Sequence, residues 1–458
     1  MDIDIVHNLS ARSKRTKGPQ PCQSSSRSEK ATAQPETDSA TLHDPKLFAG
    51  TVYDSGSISR FPATGHTMIK QLLITIILLA QVNLVQAAEQ FEIRLRAREA
   101  GLIVGVFEPG VYNSITDVDG VLVGHETVIE GDDIRTGVTA IIPVSGNMYT
   151  HPIPAWVTVG NGYGKMIGET QIREFGELET PILLTCTLCV WSAANALKEW
   201  VYTQPGMGEH TVNPVVGETN DGRVNNMWAD PIQREQVFSA LSKASSGFVA
   251  EGSVGAGTGT QAFGWKGGIG TSSRVLPESL GGYTVGVLVQ TNYGGYMTIN
   301  GAPVGRELGT YPYRDQLTPT DDGDMEDGSI MLVVATDAPL NSRSLDRLGF
   351  RALMGLGRTG SYASNGSGDY VISFSTDPAV RKPRVSESPV AIEELVNASM
   401  SPLFAAVSEA TEEAIYNAIF KATTVSSARG ELKAVPYDEM IRILEKHQVL
   451  EWDMTVPH

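Results

Sequence analysis

The sequence predicts an α/β protein built from two β-sheets with helices on their outer faces. Val- and Ile-rich runs bounded by Gly and Asp recur in both halves of the chain and read as strands. Several lead into segments whose apolar residues repeat at helical spacing. Strands followed by helices in both halves need a helical layer over each sheet to bury the apolar faces. At 458 residues with 41% apolar content, the chain is long enough for one large domain or two ordinary ones.

The elements follow in order. ITDVDGVLVGHETV (115–128), TGVTAIIPV (136–144) and AWVTVGNGYGK (155–165) read as strands, the last ending in a Gly-rich turn. PILLTCTLCVWSAANALKEWV (181–201) begins as a buried strand and continues as a helix. PVVGETNDGRVNN (214–226) precedes a glycine run, GSVGAGTGTQAFGWKGGIGTSSR (252–274), and the strand YTVGVLVQTNYG (283–294). Gly255, Gly257 and Gly259 lead into Trp265, Lys266 and further glycines, not into a helix with an acid about 20 residues on. The run therefore reads as tight strand connections with close backbone approach, not a dinucleotide site. IMLVVAT (330–336) is a strand, 339–356 carries helical spacing, and DYVISFST (369–376) is a further strand. Ser401 and Pro402 read as N-cap and first residue of a long helix, and 437–446 forms a short one.

Upstream, residues 1–67 are rich in Ser, Thr, Lys, Arg and Pro without apolar periodicity, and are expected to be disordered. MIKQLLITIILLAQVNLVQAAEQ (68–90) has the layout of a secretory signal peptide. It offers a start-like Met68, Lys70, an apolar stretch and small residues before Glu89. Gln81, Asn83 and Gln86 cut the apolar run below the roughly 20 residues of a membrane span. The expectation is a start at Met68, removal of 68–88, and a periplasmic or secreted protein with no membrane attachment afterwards. A net charge of −17 argues against a nucleic-acid partner. The three cysteines, Cys22, Cys186 and Cys189, imply no disulfide framework. With no second cysteine pair or nearby His, Cys186 and Cys189 read as buried thiols. No metal-ligand spacing is evident, so no metal or other cofactor is expected.

One junction draws attention to chemistry. DGDMEDGSIMLVVATDAPL (322–340) places Gly328 and Ser329 where an acidic segment meets a buried strand. Gly-Ser is a common loop dipeptide. Here, however, the strand would hold Ser329 rigidly, and Gly328 leaves its carbonyl unshielded by any Cβ. Attack by the Ser329 hydroxyl on that carbonyl, then hydrolysis of the ester, would free Ser329 as a chain start. Its α-amine, with a reference pKa of about 7.7–8, could then act as the hydroxyl's base. A Ser-His-Asp triad is the rival, but no G-x-S-x-G elbow surrounds Ser329.

GSIMLVVATDAPL, RTGVTAI, NGYG, VGAGTG, GIGTSSR and NGSGD together resemble the β-aminopeptidase family, which includes L-aminopeptidase D-Ala-esterase/amidase. The resemblance spans residues 92–380. It implies N-terminal-serine hydrolases that cut themselves before the serine, here into 89–328 and 329–458. The implied fold is a four-layer α/β/β/α sandwich of Ntn-hydrolase-like architecture with distinct connectivity. Carried over, Ser329 is the nucleophile, and Ser367 and Asp369 bond around it and its amine. Asn292 is an oxyanion-hole amide, and Glu218 binds the substrate's free amine. Each also has a plain reading: a turn for Ser367 and Asp369, a capped loop for Asn292, a solvated acid for Glu218. One position departs: ETND places Asn220 where the D-Ala-esterase branch has Tyr, and Tyr163 in NGYG is the nearby candidate phenol. The resemblance also implies a homo-oligomer, a tetramer of two-chain units. The leading expectation is an aminopeptidase that releases a small, β-amino, D- or small L-residue from short peptides, amides or esters. An acyltransferase related to ornithine acetyltransferase, which uses Thr at the processed position, and an inactive binding protein of the same fold are the alternatives.

Overall fold

Side-chain alternation along the strands sets the layers. In chain order the strands are β1 (Leu122–Glu130), β2 (Ile134–Ile142), β3 (Ile153–Gly162), β4 (Glu177–Leu178), β5 (Ile182–Cys186), β6 (Val215–Thr219), β7 (Gln261–Ala262), β8 (Trp265–Lys266), β9 (Gly268–Val275), β10 (Thr284–Asn292), β11 (Ser329–Thr336), β12 (Gly368–Ser375), β13 (Val425–Ser427) and β14 (Gly430–Leu432). The computed structural model describes residues 93–317 and 328–454. The 1–67 extension, the 68–88 leader and the acidic segment 322–327 lie outside those residues.

One sheet runs β1-β2-β5-β6 and a larger one β4-β3-β12-β11-β10-β9. In β11, Ile330, Leu332 and Val334 join Val285, Val287 and Val289 of β10 in a core shared with Leu345, Leu348, Leu403 and Val407. Those leucines and Val407 come from the helices Ser342–Arg358 and Ser401–Phe420, which cover that face. The alternate residues, Met331, Val333 and Ala335, meet Ile141, Ile182, Leu184 and Val215 of the smaller sheet. A third core packs Val138, Leu183 and Val216 against Val190, Leu197, Val237 and Leu241 of the helices Val190–Tyr202 and Arg234–Ser242. Helix, sheet, sheet and helix thus stack in four layers, because period-two alternation gives each strand two apolar faces.

Two sequence expectations change. Cys186 and Cys189 are not separate thiols but a disulfide. The turn from the end of β5 into the helix brings their Cα atoms to 5.1 Å, within bridging range. The 401–420 helix has Met400 at its N-cap, so Ser401 lies inside the first turn and makes no side-chain cap. The glycine run behaves as expected: a Cβ on Gly257 would lie 2.4 Å from the Ile269 amide nitrogen.

Candidate active site

The register across the larger sheet builds the site. Gly162 of β3, Gly368 of β12, Ser329 of β11 and Asn292 of β10 lie side by side in one row. Ser329 shares the parity of Met331 and Val333, so its side chain faces the gap between the sheets. There a cleft of about 930 Å³ opens, lined by Ser329, Gly328, Asn292, Glu218, Tyr163, Asn220 and their neighbours. Six of the eight expected residues therefore share one cavity; Ser367 and Asp369 do not line it.

The Ser329 hydroxyl, 6% exposed with its residue, donates to the Gly328 carbonyl at 2.7 Å. The Gly368 amide donates to both partners, at 3.2 Å to the Gly328 oxygen and 3.3 Å to Ser329 Oγ. The carbonyl before the nucleophile is thus polarised by a backbone donor, which sequence reading did not identify. Gly328 has no room for a side chain: a Cβ would sit 2.4 Å from Tyr293 Cα and 2.8 Å from the Asn292 carbonyl oxygen.

Asn292 accepts the Gln261 amide through Oδ1 at 2.9 Å. Since a backbone N–H can only donate, the side-chain NH2 must be the half turned away from Gln261. Ser367 donates to Asp369 Oδ1 at 2.6 Å. Asp369 has the parity of Val371, which lies in the helix-side core, so its carboxylate sits on the opposite face of β12 from the cleft. Burial pushes it up to about 6, against the opposing pull of the Ser367 hydroxyl and the Ile330 amide. Its Oδ2 is buried with no hydrogen-bond partner among the described residues.

Glu218, 2% exposed, is the penultimate residue of β6, at the cleft wall. Its Oε1 accepts the Lys165 amide at 2.9 Å and lies 3.6 Å from Lys165 Nζ, which also donates to Thr187 Oγ1 at 2.6 Å. Lys165 follows NGYG directly, yet its role was not legible because the contact crosses between sheets. Asn220 does not stand in for a phenol: its Oδ1 caps the Gly222 amide at 2.9 Å. Tyr163 is 69% exposed on the cleft wall. Thr187 and Leu188, the residues between the bridged cysteines, form another part of that wall. Behind the cleft, Lys266 is fully buried and donates to the Gly257 and Gly267 carbonyls at 2.7 and 2.8 Å. Desolvation brings its ammonium down to about 7.

A model of peptidase family S58 matches residues 113–433. The beta-peptidyl aminopeptidase BapA of Sphingosinicella microcystinivorans is 38% identical over 372 residues, covering 78% of this chain and 93% of its own. A Burkholderia sp. beta-aminopeptidase structure aligns with a TM-score of 0.70 at 37% identity, over 77% of this chain and 99% of that one. The L-aminopeptidase D-Ala-esterase/amidase of Ochrobactrum anthropi aligns with a TM-score of 0.69 at 35% identity, over 78% and 99%. That structure is described as a variant of the Ntn hydrolase fold. The fold, the family and the enzyme class expected from the sequence agree with these matches. The chain belongs to peptidase family S58 and is an aminopeptidase with a serine nucleophile.

Proposed function

We propose that the chain cuts itself between Gly328 and Ser329, and that the freed Ser329 then releases a small N-terminal residue, preferably β-amino, from short peptides and amides. The observation that carries this reading is the junction itself. Ser329 Oγ lies against the Gly328 carbonyl, and the Gly368 amide donates to that carbonyl, all at the first residue of a central strand. In the first stage the hydroxyl adds to the Gly328 carbon, the C–N bond breaks, and the nitrogen leaves as the Ser329 amine. Water then hydrolyses the Gly328 ester. In the second stage the same hydroxyl, with the amine as its base, takes the substrate's acyl group, releases the leaving amine, and returns the acyl group to water. Asn292 NH2 is the oxyanion donor for that acyl transfer. The β-amino preference is supported by the chain's similarity to a beta-peptidyl aminopeptidase of Sphingosinicella and a beta-aminopeptidase of Burkholderia. A denaturing gel showing two fragments, together with faster release from β-alanyl than from D-alanyl or L-alanyl p-nitroanilide, tests the proposal. A secreted location is supported by the buried Cys186–Cys189 bridge, since disulfides persist in oxidising compartments.

Glu218 receives the substrate ammonium beside Lys165, whose contacts both use Oε1. Glu218→Gln is expected to weaken catalysis on amine-bearing substrates by about 1–3 kcal/mol, the scale of one charged hydrogen bond. Wild-type enzyme that cuts N-acetylated and free-amine substrates equally well would remove Glu218 from this role.

Asp369 sets the pH dependence. Held at about 6, it is ionised at pH 7 and above, so its negative charge is present while the Ser329 amine titrates. Asp369 pairs with Ile330, the residue after Ser329, so its charge acts through the sheet on the Ser329 nitrogen, favours the ammonium and raises the amine above its reference range of about 7.7–8. The acid limb of kcat/KM is expected above that range in the wild type, and at lower pH in Asp369→Asn. A limb that stays in place in the variant separates Asp369 from the amine.

A further inference from the structure

Beyond Glu218, the cleft holds a second charged anchor that none of the expected roles uses. Among the described residues that line it, only Lys165, Glu218 and Arg223 carry charge, and Lys165 is committed to Glu218. Arg223 makes one contact among the described residues: Nη1 donates to Gln261 Oε1 at 3.0 Å. A guanidinium has five N–H donors in a planar fork suited to a carboxylate, so most of this one's capacity is unspent.

The sheet register places Arg223 relative to the nucleophile. Glu218 Oε1 sits against Gly164 and Lys165, and Gly164 packs over Gly368 of β12, on one side of Ser329. Gln261 bonds Asn292 at the β10 end and holds Arg223 there. Ser329 of β11 lies between them, paired with Gly368 of β12 on one side and Asn292 of β10 on the other. With strands about 4.8 Å apart, the two sides lie about 10 Å from each other. The acid that takes the substrate amine and the free guanidinium therefore flank the nucleophile on opposite sides. A peptide acylating Ser329 with its first residue toward Glu218 would send its leaving half toward Arg223. Trp228 continues the wall on that side, 65% exposed, with Arg429 stacked 5.1 Å over its ring.

We propose that Arg223 receives the C-terminal carboxylate of the leaving residue, which makes a dipeptide with a free carboxylate the favoured substrate, with Trp228 supporting an apolar side chain on that residue. The inference rests on the aminopeptidase reading above. A leaving residue two or more positions from the chain end would carry its carboxylate past the guanidinium, so rate should fall as the peptide lengthens.

The test compares β-alanyl-leucine with β-alanyl-leucinamide, the same peptide without the carboxylate charge. Wild-type kcat/KM is expected to favour the acid by about tenfold, the scale of a charged hydrogen bond at a partly open site. In Arg223→Ala the ratio should fall to near one, and Arg223→Lys should keep part of it. The ratio is the readout, so any loss common to both substrates, including poor folding, cancels. Equal wild-type rates on the two substrates overturn the inference while leaving the peptidase reading intact, as does a preference that survives in Arg223→Ala. Wild-type enzyme that cuts neither dipeptide nor β-alanyl p-nitroanilide overturns the peptidase reading and the inference with it.

Discussion

Ser329→Ala is expected to yield one uncut chain with no aminopeptidase activity. The proposed cut uses the hydroxyl that lies 2.7 Å from the Gly328 oxygen, and among the described residues no other hydroxyl bonds that carbonyl. Without the cut there is no α-amine at residue 329 to serve as base, so two functions are lost through one atom. The fold should survive, since the hydroxyl's two bonds are local and the apolar residues of β11 are untouched. Intact mass after overnight incubation, beside circular dichroism to confirm folding, is the measurement. A folded variant that still divides at Gly328 would assign the cleavage to another agent.

Asn292→Ala is expected to separate the two reactions. Losing one preorganised oxyanion donor typically costs about 100- to 1000-fold in rate. That loss should fall on added substrate. The Gly328 carbonyl has its own donor in the Gly368 amide at 3.2 Å, so self-cleavage should be slowed but still finish within hours. The paired measurement is fragment appearance with time and turnover by the fully cut variant. Near-wild-type turnover by the cut variant would move the oxyanion donor from Asn292 to backbone amides or Tyr163.

What was legible in the sequence was what strand periodicity encodes. IMLVVAT gave β11 and its two faces, and hence the side on which Ser329 emerges. The motif resemblance then grouped Glu218, Asn292 and Ser329, which the fold brings together from β6, β10 and β11. What was hidden depends on contacts between layers or on parity. Lys165 and Gln261 reach their partners 53 and 31 residues away, and no local pattern announces either. Asp369 reads as a neighbour of the nucleophile, yet one residue of parity puts its carboxylate through the sheet to the helix side. The cysteines misled because a spacing of three looks like core packing until the strand-to-helix turn folds one over the other.

The location of the Gly328–Ser329 bond has a consequence for the life of the folded enzyme. In the larger sheet the order is β4-β3, then β12-β11, then β10-β9. With that bond broken, the second polypeptide's two strands in this sheet, β12 and β11, would lie between strands of the first. The helices Ser342–Arg358 and Ser401–Phe420 belong to the second polypeptide and pack over β3, β9 and β10 of the first. Before the cut, one chain searches for these pairings with its ends tethered, and the entropy of bringing the halves together is only that of closing a loop. Afterwards the same pairings require two molecules to meet, so reassembly depends on concentration. The proposed cleavage would thus be a one-way valve on folding. The enzyme would be assembled as a single chain and persist as two interleaved ones, its durability set by how slowly they part.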